Sequence, residues 1–405
     1  MEIADPRPEF VVGKLLEQRV YLRKWLYKYA LPLWWSAGAD KVNGGFHELL
    51  DLNGDPVPSD RRFRVQPRQV YCYAAAGLAS WSGPWREAAD HGIQYFESRY
   101  RLDAGHFAAL ASADGVVIDR QFDLYNQAFA LLAYAQGSLS SPEVSLEYEE
   151  KALGLLASLE PWRHPQAGFE EGIPRKLPLC SNPHMHMLEA ALAWEAASQT
   201  KNPIWTALAD EIVQLCLTFL IDTQTGVLRE FFDGDWRPYP DYRGRITEPG
   251  HQFEWAWLLV KWGQARHDGK AIEAARRLFE LAVAHGICDR RQMAVMQLSD
   301  DFSILDESCR LWPQTEWIKA ALALATNSDE AEKCRFWGEA LRGITSLRRF
   351  LDEVPRKGLW RDRMMSDGRW QDEAAPASTF YHIVCAILEL DNALEGLHVA
   401  ENYRF

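Results

Sequence analysis

The segment Glu248-Pro249-Gly250-His251-Gln252-Phe253-Glu254 sets a histidine at the mouth of a helix and a carboxylate one helical turn further in. Histidine titrates near neutral pH, so it can take up and return a proton under ordinary conditions. A carboxylate at i+3 on the same face can orient the ring or hold a hydroxyl group. The chemistry such a pair suits is proton abstraction. Tyr381-His382, near the C-terminal end, offers a second histidine in an equivalent place at a helix start.

Four further helix starts concentrate polar and aromatic side chains: Arg64 to Tyr71, Asp123 to Gln127, Asn182-Pro183-His184-Met185-His186 and Trp312-Pro313-Gln314-Thr315-Glu316. Arg68 would bring a guanidinium fork able to hold two oxygens or stabilise an oxyanion. Glu316, near Trp312 and Trp317, places a carboxylate beside aromatic faces, a pattern suited to holding sugar hydroxyls. His184 and His186 form an HxH pair, but positions i and i+2 of a helix point about 200° apart. One of the two is therefore expected in a pocket and the other in packing, and no metal is expected. Neither HExxH nor a phosphate-cradling GxxxxGK[ST] occurs.

These residues need a scaffold that gathers helix starts. Apolar residues recur with helical spacing near 11–30, 62–80, 84–99, 123–138, 143–159, 184–199, 202–220, 251–267, 269–286, 312–325, 329–351 and 378–395. Between them lie extended runs that begin at Gly45, Gly105, Gly168, Gly226 and Gly358, at intervals near 60 residues with one double interval. Most turn back at Asn-Gly or Asp-Gly, which are hairpin signals. The slot in the double interval falls near Met293-Ala294-Val295-Met296 and turns at Asp300-Asp301, whereas the Gly168 unit lacks such a turn. The chain thus reads as six degenerate repeats, each a helix pair with a short hairpin. Such pairs bury their apolar faces by closing on one another. The expectation is an all-α fold, a single (α/α)6-barrel domain over residues 1–405, with an open α-solenoid as the alternative. Alternate helices would form the inner ring, and their N-termini would line one pocket.

Composition narrows the function. The chain has 405 residues, is 47% hydrophobic and carries a net charge of −13 without a basic run, so nucleic acid and membranes are not expected partners. Seven scattered cysteines with no CxxC pair suit a reduced, cytoplasmic protein. Met1 to Pro6 show neither a basic nor an apolar leader segment. The seventeen tryptophans suit a sugar site in part, although most tryptophans belong to cores.

The motifs around Arg68, Asn182 to Ala190, Glu248 to Trp255, Trp312 to Glu316 and Tyr381-His382 resemble, in order and over nearly the whole chain, the N-acylglucosamine 2-epimerase superfamily. That superfamily is known for (α/α)6 barrels and includes N-acylglucosamine and cellobiose 2-epimerases and mannose isomerases. The resemblance implies that His251 and His382 carry protons, and that Arg68, Asn182, His186, Glu254 and Glu316 hold the substrate. It implies no cofactor and a small sugar as the partner, joined at most by a second copy of the chain in a homodimer. The segment Ala375 to His382 looks more like the monosaccharide isomerases than the disaccharide epimerases, so a mannose-type sugar is expected. The expected reaction moves a proton at C2 or C1 of an open-chain aldose through a cis-enediol(ate), with Arg68 and His186 stabilising the oxygens. N-acylglucosamine/N-acylmannosamine 2-epimerisation is an alternative. From the residues alone, a glycoside hydrolase using Asp123, Glu254 or Glu316 and a non-catalytic sugar-binding protein remain further alternatives.

Overall fold

Helices buried on every side alternate with helices that bury a single stripe. The computed structural model describes residues 8–395 and 397. Twelve long helices occur among them: α1 (Pro8–Trp25), α2 (Val65–Leu78), α3 (Trp85–Tyr100), α4 (Leu124–Ser140), α5 (Ser145–Ser158), α6 (Ser181–Ala197), α7 (Pro203–Leu215), α8 (Pro249–Arg266), α9 (Gly269–Gly286), α10 (Leu311–Ala325), α11 (Glu330–Asp352) and α12 (Ala377–Ala393). Every residue of α10 is buried, as befits a helix enclosed on all sides. In α9 the buried residues include Ala271, Ala275, Leu278, Phe279 and Ala282, spaced to one face, with Lys270 and Glu273 left outside. The even-numbered helices form the inner layer and the odd-numbered ones the outer.

The inner ring closes. Each of α2, α4, α6, α8, α10 and α12 packs against the next, and α12 packs back onto α2. Outer helices α3, α5, α7, α9 and α11 each pack on the preceding inner helix, and α1 covers the seam against α11 and α12. The closed (α/α)6 barrel is thus the observed architecture, not the open solenoid. The stretch Pro203–Leu220 is long and apolar enough to cross a membrane by composition alone. Here it is an outer helix whose apolar face (Trp205, Leu208, Ile212) lies in the core.

The hairpins stitch the repeats at the mouth. Short strands before inner helices pair antiparallel with the hairpin of the following repeat: Arg61–Arg62 with Leu110–Ala111, Leu179–Cys180 with Phe231–Phe232, Ile246–Thr247 with Gln297–Ser299 and Cys309–Arg310 with Arg363–Met364. Ala375–Pro376 pairs with Leu49–Leu50, so the last repeat joins the first here too. The run after Gly168, which lacks the Asp-Gly turn, forms no hairpin of its own. All five glycines that begin these runs have positive φ, a conformation that glycine adopts without steric cost. At Gly358 a Cβ would also stand 2.7 Å from the backbone of Tyr29.

One side chain per inner helix locks each loop to its barrel. Gln66, Gln127, Gln252 and Gln314 each bond both the N–H and the C=O of a loop residue: Phe46, Phe107, Leu228 and Ala294. In the third repeat His184 takes this role, its Nε2 accepting from Phe169 N while Nδ1–H donates to Cys180 O. In the sixth, Phe380 stacks on Trp360 instead. Each bond satisfies a buried backbone group that would cost ~1–3 kcal/mol if left unpaired. The shared clamp fixes the register. Two residues beyond it in each repeat stand Arg68, Phe129, His186, Glu254, Glu316 and His382.

Candidate active site

A cavity of about 460 Å³ opens where the six inner helices begin, a size typical of small-ligand sites. All six contribute, through residues that include Arg68, Tyr125, His186, Glu254, Trp312 and His382. None of the six inner helices has a side-chain N-cap, whereas outer helices α7, α9 and α11 are capped by Asn202, Asp268 and Asp329. Six helix N-termini, each with partial positive charge, therefore converge on this mouth. That field suits the acidic side chains gathered there: Asp123, Glu230, Glu248 and Glu254.

His251 and His382 both line the cavity and both rings lie near Trp312, with centroids 4.9 and 5.9 Å from the indole. Gly250 makes this possible, because a Cβ there would meet the Trp312 ring at 2.5 Å. Trp312 is also the only tryptophan in the lining among the described residues. Most of the others, including Trp34, Trp194, Trp255 and Trp360, are core residues.

The two histidines sit in opposite electrostatic settings. His251 Nδ1–H donates to Glu230 at 2.9 Å, and Glu248 lies 3.5 Å away. Burial disfavours its charge, but these two carboxylates outweigh burial and raise its pKa to about 10. His382 Nδ1–H donates to Glu316 at 2.8 Å. Burial first, then Arg68 and Lys319, push its pKa well below the ordinary histidine value. At neutral pH His251 is thus an imidazolium and His382 a neutral ring, with each Nδ1 engaged and Nε2 left for chemistry.

The expected partner of His251 was Glu254, but the structure places Glu230 there. Glu254 lines the cavity without a hydrogen bond to His251, and its Oε1 lacks a hydrogen-bond partner among the described residues. Burial and the neighbouring Glu316 raise its pKa to about 8 against the pull of Lys319. Glu316 is likewise corrected: it is fully buried behind His382 and does not line the cavity. The carboxylate accepts from the His382 ring and does not face the space a sugar would fill. Glu230 escaped the sequence reading although a signal existed. It lies two residues past the clamped Leu228, the slot that holds Glu48, Glu171 and Asp362 in other repeats.

Arg68 and Asn182 reach the cavity as expected. Arg68 donates to Ser378 O at 3.1 Å and to the Tyr125 hydroxyl, leaving Nε unpartnered, and Asn182 Oδ1 is also unpartnered among the described residues. His186 lines the cavity while His184 is spent on its loop clamp, as the helical phase requires. Burial lowers the His186 pKa to about 4. Its Nδ1–H points to Glu189 at 3.4 Å, so the free Nε2 is an acceptor. A neutral acceptor brings no positive charge to a developing oxyanion, so the structure does not fit the expectation that His186 stabilises one. Arg243 and Arg245 pair with Asp241, Asp300 and Asp301 outside the cavity.

Glu230→Gln is expected to move the basic limb of the pH–rate profile down by at least about one unit, because His251 loses one of its two counter-charges. The pH dependence of kcat/KM across the alkaline range checks this. A limb that stays in place would show that Glu230 does not hold the His251 proton.

The geometry has close counterparts. Residues 44–386 match the family model for N-acylglucosamine 2-epimerase. The chain is 52% identical to "Mannose-6-phosphate isomerase" of Rhizobium meliloti (strain 1021), covering 93% of this chain and 97% of that relative. It is 26% identical to "D-mannose isomerase" of Marinomonas mediterranea, over 69% of this chain and 74% of that protein. A crystal structure of D-mannose isomerase superposes with a TM-score of 0.82 at 21% identity, covering 93% of this chain and 97% of that one, and so shares the fold. With the family model spanning most of the chain, this protein belongs to the N-acylglucosamine 2-epimerase family and is a sugar isomerase or epimerase.

Proposed function

We propose that the protein interconverts a mannose-type aldose and its ketose. The observation that carries this reading is the unequal setting of the two cavity histidines, His251 between Glu230 and Glu248 and His382 on a Glu316 that Lys319 also holds. The neutral His382 takes the C2 proton of the open-chain aldose. The C–H electrons form the C1=C2 bond, and O1 gains the carbonyl electrons and a proton from the His251 imidazolium. His251 then takes the O2 proton, C2=O2 forms, and His382 returns its proton to C1. Both histidines end the cycle in their resting states.

A 2-epimerisation would end differently. His251 would protonate C2 from the opposite face and be left neutral, with His382 charged. That is the reverse of what Glu230, Glu248, Arg68 and Lys319 favour, so isomerisation fits this site better. Arg68 supports the oxygens where negative charge develops, and His186 assists ring opening by accepting a hydroxyl proton.

The pocket charge favours an unphosphorylated sugar. Arg62, Arg64 and Arg310 each pair with a carboxylate, from Glu48, Asp123 and Asp362 respectively. A second reading, mannose 6-phosphate, draws on the name of the 52% identical relative and on these arginines at the mouth.

Incubation with mannose or mannose 6-phosphate in D2O, followed by NMR, tests both readings. The expected result is a ketose, formed faster from mannose, with deuterium at C1 to the extent that the proton held by His382 exchanges with solvent before its return. The profile of kcat/KM should rise at a pH below 6.5, as His382 loses its proton, and fall near 10, as His251 loses its own. Formation of the 2-epimer alone, or no ketose from either sugar, would refute the isomerase reading.

A further inference from the structure

Beneath the cavity floor, one turn beyond Glu316 on α10, stands Lys319. Its side chain is fully buried, with Nζ 2.6 Å from Glu316 Oε2 and 3.9 Å from Glu254 Oε1. The ammonium also lies over the Trp257 ring, 3.8 Å from its centroid. A lysine without solvent contact is rare unless paired. Substrate contact does not account for it, because Lys319 is not among the cavity-lining residues.

The cluster around it is densely charged. Glu189 acts on Lys319 from α6, Glu254 from α8 and Cys385 from α12, while His382 is faced by Arg68 from α2, His186 and Glu189 from α6, and Glu316 and Lys319 from α10. Within this cluster Glu316 is shared: Oε1 accepts from His382 Nδ1 at 2.8 Å, while Oε2 meets Lys319. A carboxylate alone against a histidine favours the imidazolium, as Glu230 and Glu248 do at His251. At His382 the same contact is met by an ammonium on the carboxylate's other oxygen. Glu254, Glu316 and His382 also lie close enough together to hold a metal ion, and the Lys319 ammonium stands against two of the three.

We infer that Lys319 is a positioning residue for the reaction: by sharing Glu316 with His382 it neutralises that carboxylate, so His382 is oriented without being charged and remains available as a base. This rests on reading His382 as the base. It traces part of the difference between the two histidines to one buried cation on the far oxygen of Glu316, whereas among the described residues neither Glu230 nor Glu248 forms an ion pair with a lysine or arginine.

The pH dependence of kcat/KM in Lys319→Met, measured on the full chain with the faster of mannose and mannose 6-phosphate, tests the inference. The acidic limb should move up by at least about one pH unit. The rate at neutral pH should fall at least about tenfold and recover as pH rises, with KM changed by less than about threefold. Adding Glu316→Gln to Lys319→Met removes the unbalanced carboxylate and should return the limb to its native position. An unshifted limb in Lys319→Met, or a limb still displaced in the double variant, would overturn the inference. Should Lys319→Met fail to fold, the double variant, which buries one fewer unpaired charge, decides by the same criterion. The two readings fail separately. C2 exchange that survives in His382→Asn removes His382 as the base, whereas an unshifted Lys319→Met profile beside an inactive His382→Asn removes only the role of Lys319.

Discussion

His382→Asn is expected to lower kcat by about 100- to 10,000-fold, the usual contribution of a positioned general base. Asparagine keeps a polar group that can donate to Glu316 but has no lone pair of suitable basicity for a carbon-bound proton. The loss should therefore fall on the first chemical step. Exchange of the C2 proton with D2O, followed by NMR without regard to product, should vanish together with turnover. KM should change little, because sugar hydroxyls are held by other groups: Arg68, Asn182, His186 and Glu254 all line the same cavity. Retention of C2 exchange at more than about a tenth of the native rate would exclude His382 as the base.

The second large effect is expected at His251, with a different signature. His251→Asn should also cost about 100-fold or more in turnover, but its role is to move protons on oxygen. With His382 intact, the C2 proton can still be abstracted, and the enediolate can collapse back to the aldose. Deuterium should then enter C2 of recovered substrate faster than ketose forms, and the ratio of exchange to product should rise above that of the native enzyme. If exchange and product formation fall in equal proportion, the two histidines act on the same proton and the assignment of unequal roles fails. Losing His251 also leaves Glu230 and Glu248 without their shared counter-charge. Stability of the variant should therefore be measured beside its activity, since buried carboxylates without a partner are costly.

A large part of this site could be read from residue order. The glycines at 45, 105, 168, 226 and 358 announce a repeat because each adopts a left-handed conformation that other residues resist. The apolar spacing separates into twelve helices because a stripe of one period is needed wherever one face is buried. His251, His382, Arg68, His186 and Glu254 could be singled out because polar side chains gather at the helix start of each repeat, whereas Asn182 came from the family resemblance. Helical phase even separated His184 from His186, a local property that needs no tertiary partner.

What the order of residues could not state is which side chains meet across helices. Glu254 shares a helix with His251, and proximity along the chain suggested a pair. The ring instead bonds to Glu230, which arrives from a loop 21 residues earlier. Glu316 looked like a sugar ligand beside tryptophans, but closure of the ring seals it behind His382, 66 residues away.

The sequence by itself determined the repeat, the helix count, the barrel class and the identity of most cavity residues, because periodicity, turn chemistry and helical phase are local. Only the tertiary structure decided the polarity of the site. Two histidines of identical intrinsic chemistry stand in opposite electrostatic surroundings, the difference on which their proposed acid and base roles rest. Those charges, Glu230 and Glu248 at one ring, Glu316 tempered by Lys319 at the other, come together only when six helices close on one axis and exclude the water that would screen them.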